Sequence, residues 1–442
     1  MKKVITYGTY DLLHYGHIRL LQRAKALGDY LIVGVTADDF DKTRGKINVQ
    51  QSLSERIAAV RDTGLADEII VEEYEGQKID DIRRLDVDIF TVGSDWIGYF
   101  DYLKEYCQVV YLDRTQGISS SEIRSEKSAI SLGLIGEGSF INKVALEASY
   151  VNGIKVSGIY ASDDSNIKET LTYVSACKSL DELLECSDAV YIRSCPSLHY
   201  EQVKYALEKG KHVLCESPIA LSQKECKELF QLAKKKKRIL FEGIKTAYST
   251  AYYRLILLAK TGEIGNIVSV DATCTSLEKN NSNMKIEWNS MCEWGPTALL
   301  PVFQILGTDY ATVQIATKML DEKKKFDVFT KISFNYSNAV ASIKVGRGVK
   351  SEGELIISGT KGYIYVPAPW WKTDYFEARY ENPIDNKRYF YKLEGEGIRY
   401  ELADFVKSVE KNRQSFYVSQ NVSVEVATIM EKFYLGENLI LI

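Results

Sequence analysis

Two of the chain's four histidines stand three residues apart near its start, in the run Tyr7-Gly8-Thr9-Tyr10-Asp11-Leu12-Leu13-His14-Tyr15-Gly16-His17. The strand-like Val4-Ile5-Thr6 leads into Gly8, and the His-x-Gly-His that follows opens a helix-like segment. A helix start carries partial positive charge and unpaired amide donors. This arrangement therefore puts two imidazoles and a positive helix end where a triphosphate would lie. Further cations follow: Arg44 and Lys46 in a loop after Asp38-Asp39-Phe40, and Arg114 at the head of Arg114-Thr115-Gln116-Gly117-Ile118-Ser119-Ser120-Ser121. Nucleotidyl transfer asks little covalent chemistry of a protein. It needs positioning, and cations where negative charge develops.

A second group of residues follows the short polar link Arg124–Ser128. The strand-like Ala129–Ile135 runs into Gly136-Glu137-Gly138-Ser139-Phe140, a strand–glycine–helix start that lacks the third glycine of the dinucleotide fingerprint, since Ile141 stands there. Downstream lie Ser194-Cys195-Pro196-Ser197-Leu198-His199 and Cys215-Glu216-Ser217-Pro218.

The elements that must position these residues are legible as alternation. Strand-like runs at 3–7, 30–35, 68–71, 89–92 and 109–112 alternate with helix-like runs such as 18–27 and 54–63, the pattern of a parallel, doubly wound sheet. Such sheets bind ligands at the carboxyl ends of their strands, where His14 and His17 fall. Alternation restarts at 129 and continues through 156–160, 189–192, 212–215 and 239–242. After about Tyr253, period-two strands at 268–275, 329–335 and 340–345 point to a mostly antiparallel sheet packed with helices. The expected fold class is α/β: a nucleotide-binding Rossmann-like domain (1–126), a second Rossmann domain (129–250) and a C-terminal α+β domain (251–442).

Bulk properties narrow the function. The 442 residues, 45% apolar and 26% charged, suit a soluble protein of two or three domains. A net charge of −4 and a pI of about 5.8 give no reason to expect a nucleic-acid partner or an anionic membrane. The basic run Lys234–Arg238 reads as a solvated helix end. No apolar run approaches the roughly 18 residues of a membrane span. Nothing at the start resembles a signal peptide, so a cytoplasmic location is expected. The eight cysteines form no Cys-x-x-Cys pair and read as reduced, mostly buried thiols. No protein-held metal site is expected.

The first 124 residues closely resemble the glycerol-3-phosphate cytidylyltransferase family, on Gly8–His17, Arg44, Lys46, Arg56, Gly93-Ser94-Asp95-Trp96 and Arg114–Arg124. The resemblance implies transfer of CMP from CTP, with Mg²⁺, to a phosphorylated polyol. It implies that His14 and His17 stabilise charge on the α-phosphate, and that Lys46 and Arg44 neutralise the β- and γ-phosphates. Arg114, Gly117, Ile118, Ser119 and Ser120 would hold the nucleotide from the other side. Gly8, Thr9, Tyr10 and Asp11 would form the turn, Gly93, Asp95 and Trp96 the cytosine pocket, and Asp11, Arg56 and Lys78 the acceptor side, Asp11 either anchoring the turn or facing the acceptor. The sequence departs from the family where Glu72–Gly76 lacks a tryptophan and Tyr99 replaces a lysine. Those departures suggest another polyol or sugar phosphate as acceptor.

Residues 129–440 resemble the Gfo/Idh/MocA superfamily of NAD(P)-dependent sugar oxidoreductases, on the motifs quoted above with Gly262-Glu263-Ile264-Gly265 and Ser358–Gly362. The resemblance implies dinucleotide binding by Gly136, Glu137, Gly138, Ser139, Phe140, Ala161, Ser162, Cys195, Pro196, His199, Glu216, Ser217 and Pro218, and a homo-oligomer, such as a dimer. The family's Glu-Lys-Pro is here Glu216-Ser217-Pro218, and its later histidine aligns with Thr297. A carbonyl reduction needs a proton donor near the nicotinamide. Lys245, Tyr248 and Glu293 are the candidates, each with a structural role as the alternative. Ala161-Ser162 at the second strand's end tolerates a 2′-phosphate and favours NADPH, whereas Asp163 argues for NADH. The expected function is bifunctional: cytidylyl transfer and NAD(P)H-dependent carbonyl reduction giving a CDP-alditol for a capsule or teichoic-acid-like polymer. The alternative is a cytidylyltransferase whose inactive oxidoreductase domain serves as a dimerisation scaffold or dinucleotide sensor.

Overall fold

The computed structural model describes the chain except residues 39, 41–48, 50, 75, 114–128, 137–138, 162–173, 278–287, 324 and 392. The chain divides into two compact units, residues 1–129 and 130–442.

The first unit runs β1 (Lys3–Gly8), α1 (Tyr15–Lys25), β2 (Tyr30–Thr36), α2 (Leu53–Asp62), β3 (Glu68–Glu72), α3 (Gln77–Leu85), β4 (Ile89–Gly93) and β5 (Gln108–Leu112). The strands form one parallel sheet in the order β3-β2-β1-β4-β5. Successive side chains of β1 serve opposite cores, as strand geometry demands. Val4 packs with Leu21 and Ala24 of α1, while Ile5 and Tyr7 pack with Ile82 of α3 and Phe90 of β4. The strand order reverses at β1, so the ligand crevice opens between the carboxyl ends of β1 and β4.

The second unit begins β6 (Ile130–Gly136), α4 (Ser139–Ala148), β7 (Ile154–Tyr160), α5 (Leu180–Glu185), β8 (Ala189–Arg193), α6 (Pro196–Glu208), β9 (His212–Glu216), α7 (Gln223–Lys236) and β10 (Leu240–Gly243). These strands form a parallel sheet in the order β10-β9-β8-β6-β7. Then come α8 (Thr250–Lys260), β11 (Ile267–Thr275), α9 (Ser290–Leu306), β12 (Thr312–Asp321), β13 (Phe326–Asn335), β14 (Val340–Gly346), β15 (Leu355–Gly359), β16 (Gly362–Val366), β17 (Tyr375–Tyr380), β18 (Lys387–Phe390), α10 (Ile398–Lys411), α11 (Gln420–Leu435) and β19 (Leu439–Leu441). A nine-stranded sheet orders these as β18-β17-β16-β15-β11-β14-β13-β12-β19, antiparallel except at β11–β14 and β12–β19. The α/β class with a mostly antiparallel C-terminal sheet is therefore present as expected.

Two local results bear on the expectations. Lys234, Lys235 and Lys236 form the last turn of α7, and Lys237 closes it in a left-handed conformation, so the basic run is an exposed helix end. All eight cysteines are free thiols, but only Cys215, Cys226, Cys274 and Cys292 are fully buried. No helix among the described residues is long and apolar enough to cross a membrane.

Candidate active sites

In the first unit the two histidines are bound into the helix start itself. His14 is the N-cap of α1 in extended backbone, and its Nδ1 accepts from the Gly16 amide at 3.1 Å. His17, at the third helical position, returns the favour: its Nδ1 accepts from the His14 amide at 3.4 Å. Imidazoles thus fill both places of a capping box. The rings stack with centroids 3.9 Å apart. Since each Nδ1 accepts, each neutral ring carries its hydrogen on Nε2, giving two adjacent N–H donors.

The turn ahead of them is strained and tied down. Tyr10 and Leu12 have φ of 53° and 49°, left-handed values that non-glycine residues rarely adopt. The buried Tyr10 ring lies against Gly8, where a Cβ would come within 3.0 Å of it. The Leu12 amide donates to Gln51 Oε1 at 2.7 Å, and the Gln51 amide donates to Asp11 Oδ1 at 2.9 Å. Buried Asp11 therefore anchors the turn to the start of α2.

Arg56 has no exposed surface. Its guanidinium donates to the carbonyls of Thr9 at 2.7 Å, Thr36 at 2.8 Å and Gln51 at 3.2 Å, and pairs with Asp38. It joins the carboxyl ends of β1 and β2. Lys78 is also buried, paired with Glu72, with its ammonium 4.6 Å from the Tyr7 ring centroid. Both were expected on the acceptor side. In this structure Arg56 holds strand ends and Lys78 pairs with a buried carboxylate. Asp95 is exposed in the short turn after β4, and Trp96 is half-buried against Tyr99 and Phe100. Arg44, Lys46, Arg114, Gly117, Ile118, Ser119 and Ser120 lie outside the described residues.

In the second unit a cavity of about 220 Å³ opens at the carboxyl edge of the parallel sheet. Arg193 closes β8, Glu216 closes β9, Gly243 closes β10, and Ile244–Thr246 follow it along the wall. Lys245 and Glu293, two of the three proton-donor candidates, line it. Tyr248 does not: it is buried in the core against Phe241 and Tyr417. Glu293 pairs with Arg193 at 3.5 Å, and the Arg193 guanidinium lies over the rings of Phe140 and Trp288. Glu216 accepts from the Tyr191 hydroxyl, and burial pushes its carboxyl up against the opposing pull of Arg193. Ser217, at the resembled family's lysine position, donates its hydroxyl to buried Glu242. His199 is fully buried, with ring nitrogens 2.8 and 3.0 Å from the carbonyls of Pro218 and Ser194. Burial pushes its pKa down to about 4. It ties the loop after β9 to the loop after β8.

Three residues on this cavity, Arg193, Lys372 and Glu396, are ones the sequence reading did not single out. Arg193 carried a readable signal, a charge closing the apolar run Ala189–Ile192. So did Glu396, an acid between two glycines.

The residues present fit a dinucleotide. Gly136 ends β6 with φ of 142°, and a Cβ there would lie 2.2 Å from the Arg193 carbonyl oxygen. Helix α4 then starts at Ser139, so its amide-rich end stands at the strand edge. Half-buried Ala161 follows β7, and Cys195 and Pro196 open α6 as N-cap and first helical residue. Glu137, Gly138 and Ser162 lie outside the described residues.

Residues 5–126 match the cytidylyltransferase-like family. Over 130 residues the chain is 50% identical to the glycerol-3-phosphate cytidylyltransferase of Bacillus spizizenii, covering 100% of that protein and 29% of this chain. The chain belongs to the cytidylyltransferase-like family. Residues 130–244 of this cytidylyltransferase match the oxidoreductase family with an NAD-binding Rossmann fold, Gfo/Idh/MocA. The glucose-6-phosphate 3-dehydrogenase of Bacillus subtilis is 24% identical over 199 residues, 42% of this chain and 57% of that protein. A 3-ketoreductase from Actinomadura kijaniata, solved with NADP and TDP-benzene, shares the fold at a TM-score of 0.63. It is 18% identical and covers 71% of this chain and 99% of its own. The cytidylyltransferase is thus joined to a domain that matches the oxidoreductase family with an NAD-binding Rossmann fold.

Proposed function

We propose that the first unit transfers CMP from CTP to a phosphorylated sugar or polyol, and that the second reduces a ketone of the same carbon skeleton with NADPH. The product is a CDP-alditol for a bacterial surface polysaccharide, made by a cytoplasmic homo-oligomer. The observation that carries the reading is the pairing of two sites, each at the carboxyl edge of its own parallel sheet and each supplied with donors suited to one half-reaction.

In the transfer step an oxygen of the acceptor phosphate attacks the α-phosphorus of CTP, the bond to the β-phosphate oxygen breaks, and pyrophosphate leaves. The Nε2–H groups of His14 and His17 and the start of α1 stabilise charge on the α-phosphate. Lys46 and Arg44 take the β- and γ-phosphates, Arg114, Ser119 and Ser120 the opposite side, and Gly93, Asp95 and Trp96 the cytosine. Arg56 is a positioning residue that fixes the turn. Among the described residues no group of three or more metal-ligating side chains forms a magnesium cage. Magnesium would arrive bound to the triphosphate and offset its charge.

In the second unit NADPH supplies a hydride. Lys245, inside the cavity, gives its proton to the carbonyl oxygen as that oxygen gains charge. Arg193 and Glu293 orient the substrate. The lysine of Glu-Lys-Pro being Ser217, tied to Glu242, the proton source moves to another cation on the same wall.

The missing lysine and histidine also favour a second reading, cytidylyl transfer alone with an inactive oxidoreductase unit. Incubating the full chain with CTP, Mg²⁺, NADPH and a panel of ketose phosphates, with products read by mass spectrometry, separates the two. A CDP-alditol with matching NADPH oxidation is expected. Pyrophosphate release with no NADPH oxidation across the panel establishes the second reading instead.

A further inference from the structure

The turn Gly395-Glu396-Gly397 is shaped to hold one carboxylate in place. All three residues have positive φ: 58°, 52° and 93°. That is costly for Glu396, which carries a Cβ. At Gly397 a Cβ would come within 2.7 Å of the Lys245 carbonyl oxygen, so the turn is pressed against the segment after β10. Glu396 meets three ammonium groups from separate parts of the unit. Its Oε1 lies 3.0 Å from Lys143 and 2.9 Å from Lys372, and its Oε2 lies 3.3 Å from Lys245. Burial alone would raise the carboxyl, but bonds from Lys372 and Lys143 and the Lys245 charge hold it at about 2.

Lys143 and Lys372 share one oxygen of Glu396, which leaves net positive charge between them, whereas Lys245 also faces the carboxyls of Glu216 and Glu401. A phosphate monoester carries between one and a half and about two negative charges at neutral pH. Exposure orders the cluster: the side chains of Lys143 and Lys372 are 41% and 37% exposed, and Lys245 is 21% exposed. The outer two stand towards solvent and Lys245 stands inward.

We propose that Lys372, on the cavity wall, and Lys143, which shares its oxygen of Glu396, form a phosphomonoester subsite beside the oxidoreductase cavity, filled by Glu396 until the phosphate of a ketose phosphate displaces it. This rests on the reading of that cavity as a reductase site. Displacement also frees Lys245 from Glu396, so the proton donor is released when the right substrate arrives. The reduction then precedes cytidylyl transfer, because transfer turns the monoester into one end of a diphosphate.

The test uses the full chain carrying Trp96→Phe, so that tryptophan fluorescence reports the second unit, whose Trp288, Trp294 and Trp371 line the cavity. Inorganic phosphate is titrated at constant ionic strength. A saturable signal is expected, weakened about tenfold or more by Lys372→Ala, largely kept by Lys372→Arg, and tightened about tenfold by Glu396→Gln. In turnover, Lys372→Ala raises KM for the ketose phosphate about tenfold and leaves KM for the dephosphorylated ketose unchanged. Equal phosphate affinity in all these variants overturns the subsite, and so does preferential reduction of a CDP-linked ketose. If no ketose is reduced, the reductase reading fails, and the phosphate titration still decides the subsite by itself.

Discussion

The two sites of this chain are built in opposite ways. In the first unit the histidine pair, the glycine turn and the buried Tyr10 all come from residues 8–17, and the helix cap that positions the imidazoles is made by the imidazoles themselves. In the second unit the cavity draws Arg193, Glu216, Lys245, Glu293, Lys372 and Glu396 from six separate segments, two of them strand ends, spread over about two hundred residues of sequence. The histidine pair of the first site is set by its own helix cap, and its turn is tied down by Gln51 and Arg56 at and near the start of α2. A site made by many segments needs the whole unit to pack first, and its charges are set by neighbours that are far away in sequence.

That contrast is open to attack, beginning with the change of largest effect. His17→Ala removes a ring donor and half of the capping box together. Pyrophosphate release should fall about 10³-fold in kcat/KM, with NADPH oxidation unchanged. Equal loss in both assays would mean that the two sites are not independent.

Lys78→Met sharpens the comparison within the first unit. It takes the Lys78 ammonium from buried Glu72, which also accepts from the Thr36 hydroxyl at 2.9 Å. Urea unfolding should show a loss of about 3 kcal/mol or more. A stable variant with a raised acceptor KM would return Lys78 to the acceptor role that the family resemblance implies.

Lys245→Ala should slow reduction about 10²-fold and leave cytidylyl transfer untouched. Steady-state rates in the two assays check it, and unchanged reduction would move the proton donor elsewhere on the wall.

The smallest effect concerns Glu396. Its carboxyl sits at about 2, below the ordinary 4.5, so its pairing stabilises the fold above pH 4.5 and is lost as pH falls through about 2. Solvent screening at this partly exposed site limits the gain to about 1 kcal/mol at neutral pH. Thermal unfolding of Glu396→Gln should differ from the parent by no more than that at pH 7, and the difference should shrink towards zero on acidification.

The strands and helices of both parallel sheets were readable because each is a short apolar run bounded by turn residues. Observed β1, β2, β4, β8 and β9 differ from the sequence reading by one residue at an end. The run Glu293–Thr297 was harder. It lies within α9, which continues through Pro296 and Pro301 because burial against β11, β13 and β14 outweighs the lost helix bonds. Arg56 and Lys78 show the same limit. The family resemblance implied an acceptor role for both, and only the packed unit reveals the carbonyls and the carboxylate with which they also bond.

By itself the sequence determined the two α/β beginnings, the imidazole pair at a helix start and the absence of the usual lysine at Ser217. These are matters of local order, of periodicity and of residue identity. Only the tertiary structure decided which charges meet: Arg193 with Glu293, Ser217 with Glu242, and three lysines on Glu396. Coulomb energy and burial depend on distance in space, and distance along the chain does not fix it.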